Sequence, residues 1–122
     1  MEFREKQAIY MQIAEYFSHN IIKGIWEAEE KVPSIRQLAI DLEVNPNTVM
    51  RTYTYLQERD IIYNRRGIGY FVTTLAKDVV IEIMRNKFIK EDLPEIFNSM
   101  DVLDVSINDI DKLFNDWKNK KV

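Results

Sequence analysis

Four side chains between positions 47 and 55 have the types and the spacing of a surface that reads DNA. If this segment is helical, its 3.6-residue repeat places on one face Asn47, Thr48, Arg51 and Tyr55. Side chains near the N-terminus of a recognition helix reach base edges in the major groove, and arginine reads guanine through two parallel donors. The alternative for each of these residues is a solvated helix face.

A second group of residues has the charge and the position to contact the DNA backbone. Arg36 lies near the start of a predicted helix, where free amides can also hold a phosphate oxygen. The alternative for Arg36 is a surface ion pair with Asp41 or Glu43. The segment Arg65-Arg66-Gly67 falls at a predicted hairpin tip, which could enter a minor groove or straddle phosphates. Its alternative role is to make a turn soluble.

The residue types argue against catalysis and metal binding. The chain has no cysteine and one histidine, His19, so it lacks a thiolate nucleophile and paired imidazoles. The carboxylates between Asp101 and Asp116 form neither a helix-spaced pair with histidine nor a loop of oxygen ligands. Gly67-Ile68-Gly69 lacks the third glycine of a dinucleotide fingerprint and precedes a strand. We therefore predict no enzyme activity, no cofactor and no metal.

Composition indicates one small folded protein. The 122 residues are 46% hydrophobic and 30% charged, which is near the average for globular chains. The net charge of −3 argues mildly against a nucleic-acid partner, but residues 31–72 carry six basic and four acidic side chains. No uncharged apolar run exceeds the four residues 8–11, and charges occupy the N-terminus where a secretory signal would be apolar. We expect a cytoplasmic protein with no membrane contact.

Three predicted helices position the first group of residues. The first runs from about 7 to 23 and ends at Gly24. Ser34 caps the second, and Asn45-Pro46 opens a third that reaches about Arg59. The short break between the second and third helices predicts a helix-turn-helix. The β-prone runs 61–63 and 69–72 then predict a hairpin, which in this place is the wing of a winged helix.

Only helices are predicted after Leu75. They run from Lys77 to about Lys90, from Leu93 to about Leu103, and from Ile107 to about Trp117. Ser106 and Asp109 resemble a capping box at the start of the last helix. Three short helices cannot close a large core by themselves, so their remaining apolar surface must face the winged helix, solvent or a second copy of the chain. We expect a second copy to cover it, because a symmetric partner does so most simply.

The stretch from Ile9 to Val72 resembles the DNA-binding domain of the GntR family of bacterial transcription regulators. Five blocks carry the resemblance in order: Ile9-Tyr10-x-Gln12-Ile13-Ala14; Ile22-x-x-Gly24; Val32-Pro33-Ser34-x-Arg36-x-Leu38-Ala39; Val44-Asn45-Pro46-Asn47-Thr48-Val49-x-Arg51-x-Tyr53-x-x-Leu56; and Arg66-Gly67-x-Gly69-x-Phe71-Val72. The segment 45–51 and a helical tail of only about 50 residues resemble the YtrA subfamily. The resemblance implies phosphate and base roles for Arg36, Asn47, Thr48, Arg51 and the wing at Arg66 and Gly67.

Three positions depart from the family pattern. Glycine is usual where this chain has Glu29 and Asp60. Aspartate tolerates a left-handed backbone, so Asp60 should preserve the fold, while Glu29 implies a different loop path. Met50 replaces an arginine found in many sister subfamilies, so their base-reading pattern is not carried over.

The predicted protein is mainly α-helical with a small β-hairpin wing: a winged helix-turn-helix over residues 1–75, followed by a helical dimerisation arm over 76–122. We expect a homodimeric regulator, a repressor, on a palindromic operator in double-stranded DNA, with a small-molecule effector of unspecified chemistry as a further partner. The alternative is a winged helix that binds another protein. It would need an apolar outward face on the third helix, where this sequence has Asn47, Thr48 and Arg51. The predicted DNA contacts are Ser34, Arg36, Asn45, Asn47, Thr48, Arg51, Tyr55, Arg65, Arg66 and Gly67. The predicted dimer contacts are Val80, Ile83, Met84, Phe97, Met100, Leu113, Phe114 and Trp117.

Overall fold

The computed structural model describes Phe3 and residues 7–121. It contains a two-stranded antiparallel hairpin among helices, which confirms the predicted mainly α-helical winged fold. The chain divides into two compact units, the first reaching to Ile83 and the second starting at Met84. The elements, in chain order, are α1 Ile9–Ile22, α2 Ile35–Leu42, α3 Pro46–Glu58, β1 Ile62–Arg65, β2 Gly69–Val72, α4 Ala76–Lys87, a π-helical turn Phe88–Asp92, α5 Leu93–Leu103 and α6 Ile107–Lys120.

The predicted caps define the ends of the helix-turn-helix. The Ser34 hydroxyl accepts a hydrogen bond from the Gln37 amide at 3.1 Å and so begins α2. The Asn45 side-chain oxygen accepts one from the Asn47 amide at 2.8 Å, and Pro46 occupies the first turn of α3. Between the two helices Glu43 takes a left-handed conformation with φ of 55°. These local signals fix where α3 starts.

The core of the first unit is formed by the apolar faces of the helices and the inner side of the hairpin. The α3 face of Val49, Tyr53 and Leu56 is fully buried, as its spacing predicts. The structure also includes α4 in this core, because Ala76 and Val80 are buried with it. The other members of the buried cluster are Ile13, Ala14, Phe17, Ile21, Val32, Leu38, Ala39, Ile61, Ile62 and Val72.

The hairpin is paired in register from Ile62 opposite Val72 to Arg65 opposite Gly69. The prediction that Arg65 lies at the hairpin tip is wrong, because Arg65 pairs with Gly69 and is the last residue of β1. The tip is formed by residues 66–68. The segment 29–32 lies along the other edge of β2, since the Val32 amide donates to the Tyr70 carbonyl at 3.0 Å. This segment leads directly into α2, so the base of the wing and the start of α2 are joined.

Two of the atypical residues take the backbone conformation that glycine favours. Asp60 has φ of 60° and the chain turns there into β1, as predicted. Glu29 has φ of 67°. Glutamate thus adopts the left-handed conformation itself, and its amide donates to the Val72 carbonyl at 2.8 Å. The different loop path expected from Glu29 stays a prediction.

The second unit is helical throughout its regular structure. The predicted break before Leu93 is absent, because a π-helical turn over Phe88–Asp92 carries the backbone from α4 into α5. The predicted capping box at α6 is present: the Asp109 amide donates to the Ser106 hydroxyl at 3.1 Å, and the Ser106 amide donates to Asp109 at 3.0 Å. Accepting these bonds holds the pKa of the Asp109 carboxyl below its usual range.

Candidate nucleic-acid interface

Helix α3 presents a polar face opposite its buried one. Asn47 and Arg51 are exposed, while Thr48 and Tyr55 are half-buried. The four predicted residues therefore share the outward side of the helix. Met50, between them, is also 51% exposed.

Tyr53 fixes α3 against the rest of the first unit. Its ring is fully buried, edge-on to Phe17 at 5.7 Å and to Tyr70 at 4.9 Å between ring centroids. Its hydroxyl donates to the Pro33 carbonyl at 2.5 Å, next to the cap of α2. Burial raises the pKa of the Tyr53 phenol, with a smaller contribution from Tyr70. A neutral tyrosine thus ties α3 to the start of α2 and to β2.

The Ser34 and Asn45 side-chain oxygens are both used as helix caps. Both residues are exposed at the starts of α2 and α3, where backbone amides are available to an anion. Their contribution to a nucleic-acid contact would therefore come from the helix ends that they define and from their remaining donors.

Arg36 is exposed on the first turn of α2. Neither of the ion pairs considered as alternatives, with Asp41 or with Glu43, is found among the described residues. The Asp41 carboxylate accepts a hydrogen bond from the Gln37 amide group at 2.7 Å. Within the described residues, no ion pair or ring contact involves Arg36.

Arg51 does not extend freely from α3. Its guanidinium carbon lies 3.9 Å from the centroid of the Tyr10 ring on α1. Tyr10 meets Tyr55 edge-on at 6.5 Å, and the Arg59 guanidinium lies 3.6 Å from the Tyr55 centroid. Sequence reasoning assigned no role to Tyr10 or Arg59. The i, i+4 spacing of Tyr55 and Arg59 was a usable signal, whereas the contact between α1 and α3 had none.

The two wing arginines have different surroundings. The Arg65 guanidinium lies 3.9 Å from the Glu29 carboxylate and 4.5 Å from the Phe71 ring centroid. The same carboxylate accepts a hydrogen bond from the Tyr63 hydroxyl at 2.5 Å, which raises the pKa of that phenol. Arg66 is exposed, and no ion pair or ring contact of Arg66 is found in the described part of the chain.

Gly67 makes the tip of the wing a tight turn. The Ile68 amide donates to the Arg65 carbonyl at 2.9 Å, and Gly67 has φ of 80°. Glycine suits this third position of a four-residue turn, and a Cβ there would meet no atom within 4 Å. The open space leaves the backbone free to approach a partner.

The eight predicted dimer contacts differ in exposure: four are exposed, three are half-buried and one is buried. Val80 is fully buried in the core of the first unit, so it is not available to a second chain. Ile83, Met84 and Met100 are half-buried. The remaining residues are exposed to between 50% and 62%: Phe97, Leu113, Phe114 and Trp117.

Other kinds of site are not found in the described residues. No three histidine or carboxylate side chains there converge into a group that could hold a metal ion. None of the described helices is both long enough and apolar enough to cross a membrane.

The family model for bacterial regulatory proteins of the gntR family matches residues 9–72. The chain belongs to the GntR family. The GntR match covers all of the helix-turn-helix and the wing. Among curated relatives, the HTH-type transcriptional repressor YtrA of Bacillus subtilis is 36% identical over 93 residues, which are 76% of this chain and 71% of that protein.

Solved structures of the GntR family show the same fold. The putative GntR-family transcriptional regulator of Bacteroides thetaiotaomicron has 38% identity and a TM-score of 0.79, covering 94% of this chain and 100% of that one. YtrA of Sulfolobus acidocaldarius, a GntR-family transcription factor, has 27% identity and a TM-score of 0.58, covering 88% and 97%. These relatives support membership of the YtrA subfamily, and the chain is a GntR-type transcription regulator.

Proposed function

We propose that this chain is a sequence-specific repressor that binds a palindromic operator as a homodimer. One observation carries the DNA-reading part: α3 is buried along Val49, Tyr53 and Leu56, and on its other side it exposes Asn47 in the capped first turn and Arg51 about one turn further along. A recognition helix needs this arrangement, because a fixed inner face orients the polar outer face toward base edges. The GntR family match and the YtrA repressor relative support the same assignment.

The remaining predicted residues divide between base and backbone contact. Asn47, Thr48, Arg51 and Tyr55 lie on the outward side of α3, as base contact requires. We assign Ser34, Asn45 and Arg36 to the phosphates near the starts of α2 and α3, since free amides and a cation occur there. Arg66 and Gly67 at the wing tip contact the minor groove or the backbone. The Arg65 guanidinium lies near the Glu29 carboxylate, which offsets its charge, so Arg65 contributes less to DNA binding than Arg66.

The proposal of a homodimer rests on the second unit. No residue in the described range from Met84 to Lys121 is buried, although the range contains many large apolar side chains. Phe114 and Trp117 stack at 6.0 Å and are still 51% and 53% exposed. An apolar surface of this kind is rarely left to water, and a two-fold partner can cover it with the same residues. We therefore propose that the exposed apolar residues of the second unit form the dimer interface and that Val80 is not part of it.

The proposed chemistry is binding without catalysis. The curated relative YtrA of Bacillus subtilis is a transcriptional repressor by name. Recognition of a duplex by α3 and the wing requires no cofactor.

Selection of bound sites from random duplex DNA tests the proposed function. The wild-type chain should enrich a palindromic sequence, with half-sites about one helical turn or a multiple apart. Arg51→Ala should lower affinity for the selected duplex by about 1–3 kcal/mol and relax the preference at one position in each half-site. Fluorescence anisotropy on selected and scrambled duplexes measures both effects. Equal affinity of the wild-type chain for the two duplexes would contradict sequence-specific binding.

A further inference from the structure

An aromatic contact restricts the side chain that is best placed to read a base. The Arg51 guanidinium carbon lies over the Tyr10 ring, 3.9 Å from its centroid, which is within the range of a cation–π contact. Arg51 is exposed and Tyr10 is half-buried, so the pair lies at the surface of the first unit. Because Arg51 lies on the outward side of α3, this contact belongs to the surface that we propose reads DNA.

Tyr10 is itself held in place at two points. Its backbone carbonyl accepts a hydrogen bond from the Thr52 hydroxyl at 2.8 Å, and Thr52 is fully buried on α3. Its ring packs edge-on against Tyr55 at 6.5 Å with an interplanar angle of 70°. The start of α1 is thereby attached to α3, and the ring has a fixed position beneath the guanidinium.

Stacking on an aromatic ring constrains arginine without using its hydrogen-bond donors. The contact uses the face of the planar group, whereas the five N–H groups point outward in its plane. A free arginine side chain loses rotamer entropy when it binds, and a side chain that is already stacked loses less.

We propose that Tyr10 is a positioning residue for base recognition, acting through the guanidinium of Arg51. This inference rests on the proposed function, because it concerns how the same surface reads DNA. It assigns to α1 a part in sequence preference that the residues of the helix-turn-helix alone do not explain.

A double-mutant cycle tests the coupling between the two side chains. The probe is the duplex selected by the wild-type chain, with a scrambled duplex as reference. Tyr10→Leu should weaken binding to the selected duplex about two- to fivefold, the range expected for an exposed cation–π contact, and should leave the salt dependence unchanged. In an Arg51→Ala background the same change should have no further effect. Tyr10→Phe keeps the ring and should bind as the wild type does.

Two controls separate this role from general damage to the fold. Tyr16→Leu alters a half-buried tyrosine on the same helix whose recorded ring contact is with Trp26, and it should leave the preference for the selected duplex intact. In the free wild-type chain, NMR order parameters of the arginine Nε–H groups should show Arg51 more restricted than Arg66. This measurement needs no variant and is independent of whether Tyr10→Leu folds.

Several results would overturn the proposal. If Tyr10→Leu lowered affinity for the selected duplex equally in the wild-type and Arg51→Ala backgrounds, the two side chains would act independently. A loss in Tyr10→Phe as large as in Tyr10→Leu would mean that the phenol hydroxyl contacts DNA itself. An Arg51 side chain as mobile as that of Arg66 would remove the physical basis. If the wild-type chain itself shows no preference for the selected duplex, the proposed function fails, which is a different outcome from any of these.

Discussion

Replacement of Glu29 should separate two effects that this residue has on the wing. Glu29 holds a left-handed backbone with φ of 67°, and its carboxylate lies 3.9 Å from the Arg65 guanidinium. Glu29→Gln removes the charge and keeps the β-carbon, whereas Glu29→Gly removes both. The pair of variants therefore distinguishes the electrostatic effect from the conformational one.

The electrostatic effect concerns DNA binding. Without the carboxylate, Arg65 is released to neutralise a phosphate, and one additional phosphate contact makes the plot of log affinity against log salt steeper by about 0.9. The ratio of variant to wild-type affinity should then rise about twofold for each halving of the salt concentration. Because phosphates carry no base code, the gain should be equal for selected and scrambled duplexes. Both variants should show it.

The conformational effect concerns stability. A left-handed backbone costs a residue with a β-carbon about 1–2 kcal/mol, and glycine avoids that cost. Glu29→Gly should therefore raise the free energy of unfolding by about 1 kcal/mol. This gain is reduced by the stability that the lost contacts of the Glu29 carboxylate with Tyr63 and Arg65 contribute. Glu29→Gln keeps the strained conformation and should bring no such gain. Urea unfolding of the three proteins measures the difference.

Glu30→Gln is the matched control, because it removes the same charge from the same loop. The Glu30 carboxylate accepts a hydrogen bond from the Glu27 amide at 2.9 Å, and its recorded contact is within the loop. A salt slope unchanged in Glu29→Gln would refute the reasoning that Glu29 restrains Arg65. An equal change in Glu30→Gln would attribute the effect to loop charge in general. No gain in stability in Glu29→Gly would show that the backbone at this position is not strained.

Three further predictions follow from the same structure. Arg36→Ala and Arg66→Ala should each weaken binding to all sequences alike and flatten the salt slope by roughly one unit; an unchanged slope would assign that arginine a structural role. Tyr53→Phe should lower the free energy of unfolding by about 1–3 kcal/mol, because the Pro33 carbonyl loses its buried donor. Burial raises the pKa of Tyr53 above its usual 10.0, so the stability that the neutral phenol contributes is complete below pH 10.0 and is lost as the pH rises further. In urea unfolding on both sides of pH 10.0, the free energy of unfolding should therefore fall less steeply with pH in Tyr53→Phe than in the wild type. Trp117→Asp should give a monomer in sedimentation equilibrium while Asn115→Asp, on the same helix, remains dimeric; a wild-type monomer at micromolar concentration would contradict the proposed arm.

Burial of Val80 changes how the dimerisation arm has to be tested. A truncation placed after Ala76, at the predicted domain boundary, would remove a side chain that is fully buried in the core of the first unit. Loss of such a valine destabilises by its transfer free energy and by the cavity left behind. A monomer obtained in that way would therefore not show that the arm dimerises, which is why a substitution in α6 of the full chain is the better test.

The features that sequence predicted are those with local causes. Ser34 and Asn45 cap helices through bonds to amides two or three residues away, and the buried face of α3 follows from its own repeat. The capping box of Ser106 and Asp109 is equally local. The caps could be predicted because the interacting atoms lie within about one helical turn, and the buried face of α3 could be predicted because its residue spacing marks one side of the helix.

The features that sequence missed depend on contacts between distant segments. Arg51 meets Tyr10 only after α1 and α3 pack, and Glu29 meets Arg65 only after the loop pairs with β2. The position of Val80 in the core has the same cause, since an apolar residue on a helix has no local mark of which partner will cover it. The π-helical turn at Phe88–Asp92 replaces a predicted break because the backbone can widen one turn and continue.

The placement of the arginines explains how a chain of net charge −3 can be suited to DNA. Arg51 rests on Tyr10, Arg59 on Tyr55, and Arg65 on Phe71. A guanidinium held on a ring is restricted in orientation, which suits the base contact proposed for Arg51 and is not required for a phosphate contact. Arg36 and Arg66, for which the described residues provide no such ring, retain the freedom suited to phosphates. Since the total charge offers little general attraction, we expect binding by this chain to depend on where its arginines lie, and the Tyr10 variants measure that dependence for Arg51.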